Sequence, residues 1–296
     1  MDARRDTIKR QRLTLSGADG NALCADLFIP PGTVRGFVML VHGGGQTRHS
    51  WGGTGGGTAR TLAARGWIAL AYDQRGHGDS EWITQAAYGS EHYARDLVAV
   101  ARQMAERGYG APVIVGASLG GIAGLLAAGE LDGHALRALV LVDVTPGMKA
   151  QGVDRVLAFM GAHAEEGFAS PDEAADAISA YLPHRPRPRN LSGLAKNLRR
   201  RPDGRWRWHW DPRFLDVPRH GAEMEARLKA AAARLTIPVL LVRGRDSELV
   251  GEAEADAFRK LAPHAEVEDV SGARHMVAGD RNDVFAEAVA TFLARL

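Results

Sequence analysis

Three short stretches of this chain carry residue types that together can transfer an acyl group. Gly116-Ala117-Ser118-Leu119-Gly120 has the form G-x-S-x-G. It follows an apolar run ending at Val115 and opens a helical pattern, so Ser118 falls on a tight strand-to-helix turn that would present its hydroxyl as a nucleophile. Such a hydroxyl needs a general base. In the chain order Ser, acid, His that base comes late, and His275, in Gly272-Ala273-Arg274-His275 after the last strand-like run, is the candidate. The oxyanion that forms on attack needs two backbone N–H donors. The loop Val41-His42-Gly43-Gly44-Gly45 offers the amide of Gly44, and Leu119, the residue after the serine, offers the second. Taken singly, the serine motif is a weak signal that a helix cap would also explain, and His275 alone would read as a surface-loop histidine. Their joint context is what favours the chemistry.

The elements that must hold these residues are legible from apolar periodicity. Near-continuous apolar runs at 36–41, 67–72, 112–115, 138–142, 237–242 and 265–270 predict strands. Between and around them, helices are predicted over 58–65, 88–107, 119–128, 172–182, 223–235 and 282–296. Strands buried on both faces and alternating with helices indicate an α/β fold with a doubly wound, mostly parallel sheet. The alternation stops after Val142. Residues 147–236 show only helical patterns around a basic, proline-bearing piece, which predicts a helical cap inserted into a core made of 1–146 and 237–296.

With these motifs in place, the chain resembles the α/β-hydrolase family, which includes small carboxylesterases, enol-lactone hydrolases, C–C bond hydrolases and cofactor-free haloperoxidases. The residues that carry the likeness are His42 to Gly45, Asp73-Gln74-Arg75-Gly76-His77-Gly78-Asp79-Ser80, the turn around Ser118, Leu141-Val142-Asp143, and Gly272 to His275. The resemblance implies that the turn from Asp73 to Gly78 is structural. It also implies an acid that orients His275, and there the chain departs from the usual pattern. The commonest position for that acid, three residues past Gly244, is Ser247, flanked by Asp246 and Glu248. A second position used in some relatives is Asp143. Asp143 is the first choice, with Glu248 and Ser247 as alternatives. A serine at the turn, where epoxide- and halide-processing relatives carry a carboxylate, implies an acyl-enzyme. The expected activity is hydrolysis of a small or medium carboxylic ester or lactone. Perhydrolysis or C–C bond cleavage on the same triad is the near alternative, and a non-catalytic small-molecule receptor is the alternative of another class.

Composition bounds the rest. The chain has 296 residues, 45% hydrophobic, enough for a substantial core. With 37 basic and 35 acidic residues, the formal charge of +2 makes no overall case for nucleic acid or anionic membrane. A local case exists where Trp206, Trp208 and Trp210 alternate with Arg207 and His209, but a solvated face with its tryptophans turned inward is the simpler reading. If that segment is extended, its tryptophans share a face, and Trp210, with His49 and Trp51 beyond the glycine loop, is expected to contact substrate. No H-E-x-x-H, close histidine pair or phosphate-binding glycine motif is present, so no metal or cofactor is expected. The lone Cys24 excludes an intrachain disulfide and suits a reducing compartment. The charged stretch from Met1 to Arg12 shows no signal peptide, and no apolar run is long enough to span a membrane, so a cytoplasmic protein is expected, with a homodimer left open.

Overall fold

The computed structural model describes residues 8–52, 57–187, 190–217 and 221–296. The first seven residues, on which part of the signal-peptide reading rests, lie outside this range.

Eight strands form one sheet in the order β1-β2-β4-β3-β5-β6-β9-β10. They are β1 (Lys9–Ser16), β2 (Ala22–Ile29), β3 (Gly36–Val41), β4 (Trp67–Tyr72), β5 (Val113–Ala117), β6 (Ala138–Val142), β9 (Val239–Gly244) and β10 (Glu266–Val270). From β4 to β10 all neighbours are parallel. The two amino-terminal strands add antiparallel, and the apolar-run criterion does not find them. Lys9–Ser16 is exposed along most of its length, as suits a sheet edge, and β2 interrupts its apolar run with Asp26. An edge strand covered on one side gives a mixed pattern that this criterion misses.

Helices α1 (Thr58–Ala64), α2 (Ser90–Glu106), α3 (Leu119–Leu126), α4 (Ala150–Ala162), α5 (Pro171–Tyr181), α6 (Ala222–Ala233), α7 (Glu252–Leu261), α8 (Val277–Asp280) and α9 (Asn282–Leu293) complete the chain, with a short antiparallel pair β7 (Leu198–Arg200) and β8 (Trp206–Trp208). Alternate side chains of the sheet feed two cores, one on each face. Phe37, Met39 and Val41 of β3 join Leu97 and Val100 of α2 and Ile122 of α3. Val38 and Leu40 of the same strand join Leu62 of α1 with Phe285 and Val289 of α9. Helices on both faces are what the continuous apolar strands require.

Parallel register places the carboxyl ends of the central strands side by side. Val41 lies opposite Gly116, Ala117 opposite Val142, and Gly244 opposite Val270. The loops leaving these ends therefore converge, and they carry His42 to Gln46, Ser118, Asp143, Ser247 with Glu248, and His275. Such a crevice outside the strand ends is where open α/β sheets bind their ligands.

Between β6 and β9 the chain is not purely helical, since β7 and β8 form a hairpin there. Helices α4 and α5 and the segment from β8 to Phe214 supply one wall of the crevice. Helix α6 lies apart from that wall and packs on α3 and α7.

Candidate active site

The turn at Ser118 is built by its flanking glycines. Ser118 has φ +46° and ψ −113°, a backbone state that side chains rarely adopt. A Cβ on Gly116 would lie 2.4 Å from the Gly120 carbonyl oxygen, and one on Gly120 would lie 2.3 Å from that of Val41. Only glycine fits at either position, so the strand can meet the helix closely enough to thrust the serine outward. Holding a residue in such a conformation costs about 1–3 kcal/mol and persists only where the surroundings impose it.

His275 donates its Nδ1–H to Asp143 Oδ2 at 2.8 Å. That commitment makes Nε2 the basic nitrogen of the neutral ring. Asp143 is fully buried at the end of β6, itself at φ +51°. Its Oδ2 also accepts from Ser247 Oγ at 2.6 Å, and its Oδ1 accepts from the Gly244 amide at 3.1 Å. Ser247 Oγ in turn accepts from the amides of Leu249 and Val250 at 3.0 and 3.2 Å. Of the three candidates for orienting the imidazole, the structure brings Asp143 to it. Ser247 supports Asp143, and Glu248 stands in the crevice wall without a bond to His275. The decisive factor is the left-handed turn at Asp143, which aims its side chain at the β9 and β10 loops.

The glycine loop is pinned amide by amide. Gly43 N–H donates to Gln46 Oε1 at 3.2 Å and Gly45 N–H to His77 Nε2 at 3.1 Å. Between them, the Gly44 N–H has no partner among the described residues, and neither has that of Leu119 at the start of α3. Three buried histidines do the pinning. His42 donates from Nδ1 to the Gly43 carbonyl at 2.8 Å and accepts the Gln74 amide at Nε2. His77 donates from Nδ1 to the Arg75 carbonyl at 2.9 Å. His209, from the loop after β8, accepts the Gly78 amide at Nδ1 at 2.6 Å and donates from Nε2 to the Gly45 carbonyl at 3.2 Å. A ring that accepts at one nitrogen and donates at the other must be neutral. Consistently, burial holds the His42 pKa below the usual range and drops that of His209 to about 3. The sequence gives a weak hint of this arrangement. His77 sits in the turn read as purely structural, and His209 among tryptophans that drew the attention.

Ser118, Leu119, Gly44 and His275 line one cavity of about 360 Å³. Its remaining wall is largely apolar, with Met160, Trp208, Trp210 and Phe214 prominent. Trp208 and Trp210 line it, whereas Trp206, of the same alternation, does not. His49 and Trp51 do not line the cavity, contrary to expectation. Arg48, fully buried, is held by Asp26 at 2.9 Å, Asp79 at 2.8 Å and Asp73, and this pulls the chain away from the crevice. Trp51 consequently packs against Phe285 in the core on the α9 side, ring centroids 6.0 Å apart. His49 lies half-buried on the short turn between them, its pKa lowered by burial.

No group of three or more His, Cys, Asp or Glu side chains suited to a metal occurs among the described residues. No described helix is long and apolar enough to cross a membrane. Several bases of the stretch after α5 are paired: Arg187 with Asp172 and Asp176, Arg199 with Asp79, and Arg207 with Asp203.

A sequence profile described as the alpha/beta hydrolase family matches residues 38–288. The chain belongs to the alpha/beta hydrolase family. It is 31% identical over 262 residues to the esterase Rv0045c of Mycobacterium tuberculosis, covering 85% of this chain and 80% of that protein. It is 29% identical over 232 residues to a 2-(acetamidomethylene)succinate hydrolase of Mesorhizobium japonicum, covering 77% and 78%. Among solved structures, that of the M. tuberculosis esterase superposes with a TM-score of 0.76 at 27% identity, over 97% of this alpha/beta hydrolase and 92% of the other chain. The crystal structure of an E-2-(acetamidomethylene)succinate hydrolase gives 0.77 at 22% identity, over 97% and 99%, a likeness of fold.

Proposed function

We propose that this alpha/beta hydrolase is a serine hydrolase cleaving small or medium carboxylic esters or lactones through an acyl-enzyme on Ser118, with no cofactor. The observation that carries the reading is the His275–Asp143 hydrogen bond of 2.8 Å beside a cavity that both His275 and Ser118 line. Ser118 Oγ attacks the carbonyl carbon as His275 Nε2 takes its proton. Negative charge gathers on the carbonyl oxygen, and the open amides of Gly44 and Leu119 receive it. The leaving alcohol departs with the proton from His275. Water then attacks the acyl-enzyme with the same imidazole as base. Asp143 stabilises the imidazolium in both steps. Residues 147–236 serve as a cap over a core of 1–146 and 237–296, and the apolar wall they supply suits an acyl or alcohol chain. The ester- and succinate-derivative-hydrolysing relatives support this class of substrate.

The test is turnover of p-nitrophenyl esters of two to eight carbons by the wild-type chain and by Ser118→Ala, with fluorophosphonate labelling of each. Wild-type turnover and labelling, both absent from the variant, support the reading. An unlabelled wild type that binds ligands without hydrolysing them would point to the receptor instead.

A further inference from the structure

The backbone on either side of His275 is tied to a single ion pair. The amide of Arg274, just before it, donates to Asp280 Oδ2 at 2.9 Å. The carbonyl of Met276, just after it, accepts from Arg185 Nη2 at 3.3 Å. Arg185 and Asp280 are themselves joined, Nε to Oδ1 at 2.6 Å and Nη2 to the same oxygen at 2.5 Å. His184 Nε2 stands 3.5 Å from that oxygen. The Asp280 side chain is only 5% exposed, so its charge is largely withdrawn from water and depends on these partners. The guanidinium rests directly on α8, since a Cβ on Gly279 would lie 2.9 Å from Nη2.

The two partners come from different parts of the chain. Asp280 ends α8, shortly after His275, whereas Arg185 lies on the segment after α5, within the block between β6 and β9. Each oxygen of Asp280 has its own task, Oδ2 for the His275 loop and Oδ1 for the block beside it. Upstream the loop is held where the Asp246 amide donates to the Ala273 carbonyl at 3.0 Å. The Asp143 bond fixes the ring at Nδ1 and leaves the placement of Nε2 to the backbone that carries it. A general base works only within hydrogen-bond reach, about 2.6–3.2 Å. A displacement of about 1 Å can cost about 10²-fold in rate.

We infer that Arg185 and Asp280 are positioning residues for the reaction: their ion pair clamps the backbone at Arg274 and Met276 and so seats the His275 imidazole. The inference deepens the hydrolase reading and rests on it, since that reading makes His275 the base. Because Arg185 belongs to the block between β6 and β9, the base is fully seated only while that block is docked. A site performs when the groups around its reacting residues are themselves locked, and this pair supplies the lock on the side away from Asp143.

Both residues also line the cavity, so the experiment must separate seating from wall contact. In hydrolysis of p-nitrophenyl acetate, Arg185→Ala should lower kcat about tenfold or more and leave KM within about twofold of wild type. Arg187→Ala, whose guanidinium pairs with Asp172 and Asp176 instead, should match the wild type, and an equal loss there overturns the clamp. Asp280→Asn keeps the shape but has one oxygen for two donors, so it should lose kcat to a similar degree. It carries the test alone should Arg185→Ala fail to fold. A kcat within about threefold of wild type, or a loss confined to KM, overturns the clamp. Seating is also read without turnover, from solvent exchange of the His275 Nδ1 proton, a downfield proton resonance that disappears in His275→Ala. Its exchange should quicken about tenfold or more in Arg185→Ala, and an unchanged rate overturns the clamp even where kcat falls. A wild type that cleaves no ester, with faster exchange in the variant, would sink the hydrolase and spare the clamp. An active wild type whose variants keep both kcat and exchange would do the reverse.

Discussion

Replacing Asp143 by Asn tests the hydrogen-bond accounting around His275. Asp143 accepts three hydrogen bonds, from His275 Nδ1 and Ser247 Oγ on Oδ2 and from the Gly244 amide on Oδ1. An asparagine of the same shape has one oxygen. If that oxygen keeps His275 and Ser247, its NH₂ points at the Gly244 N–H, two donors face to face in a fully buried place, at about 1–3 kcal/mol. If the amide turns over to spare Gly244, its NH₂ confronts His275 Nδ1. The imidazole must then carry its proton on Nε2, the nitrogen that should receive the Ser118 proton. Either arrangement removes the carboxylate that stabilises imidazolium. The expected loss is about 10²–10⁴ in kcat, or about 3–5 kcal/mol of transition-state stabilisation. KM should change little, because Asp143 does not itself line the cavity. The assay is steady-state hydrolysis of a p-nitrophenyl ester from pH 6 to 10, with circular dichroism melts to confirm folding. A kcat within tenfold of wild type in a well-folded variant would refute the role given to Asp143.

Three further outcomes follow from the same geometry. Ser118→Ala should lose turnover completely with its melting temperature nearly unchanged, since alanine keeps the Cβ and the same backbone demand at φ +46°; residual turnover above about 1% in a purified sample would contradict the assignment. His209 holds fewer protons folded than unfolded between its folded pKa of about 3 and its unfolded value near 6.5, so stability is complete above pH 6.5 and falls by about 1.4 kcal/mol per unit as pH drops through that window. In denaturant melts, His209→Phe should therefore be less stable at pH 7 yet show a shallower loss down to pH 4.5, with kcat reduced more than KM rises. Trp210→Ala should raise KM for longer acyl chains several-fold, whereas Trp51→Ala should lower stability by about 3–5 kcal/mol and leave KM alone; a shift in KM from Trp51→Ala would restore it to the binding wall.

How much of this was legible beforehand varies with the physics of each part. Strands 36–41, 67–72 and 138–142 are observed with those bounds, because a strand buried on both faces writes its limits in unbroken apolar residues. The parallel, doubly wound sheet follows from the same signal. The antiparallel strands β1 and β2 were not legible, since exposed or charged residues such as Arg10 and Asp26 break their apolar pattern. The family resemblance could nominate Asp143, Ser247 and Glu248 to orient His275 but could not rank them on geometry, because the outcome depends on a backbone twist at Asp143 that no periodicity encodes. The misplacement of His49 and Trp51 has a similar origin. Proximity in sequence to the glycine loop suggested proximity to the ligand, while the buried Arg48 turned the chain elsewhere.

The bond from His209 to Gly45 bears on efforts to change what this protein accepts. Exchanging the block between β6 and β9 for that of a relative is an obvious way to graft a new preference. Such a chimera would also forfeit an imidazole that braces the machinery beneath, so it would slow on every substrate alike. Transplants that retain a histidine at this place should keep their speed, which makes it a fixed point around which new specificities can be drawn.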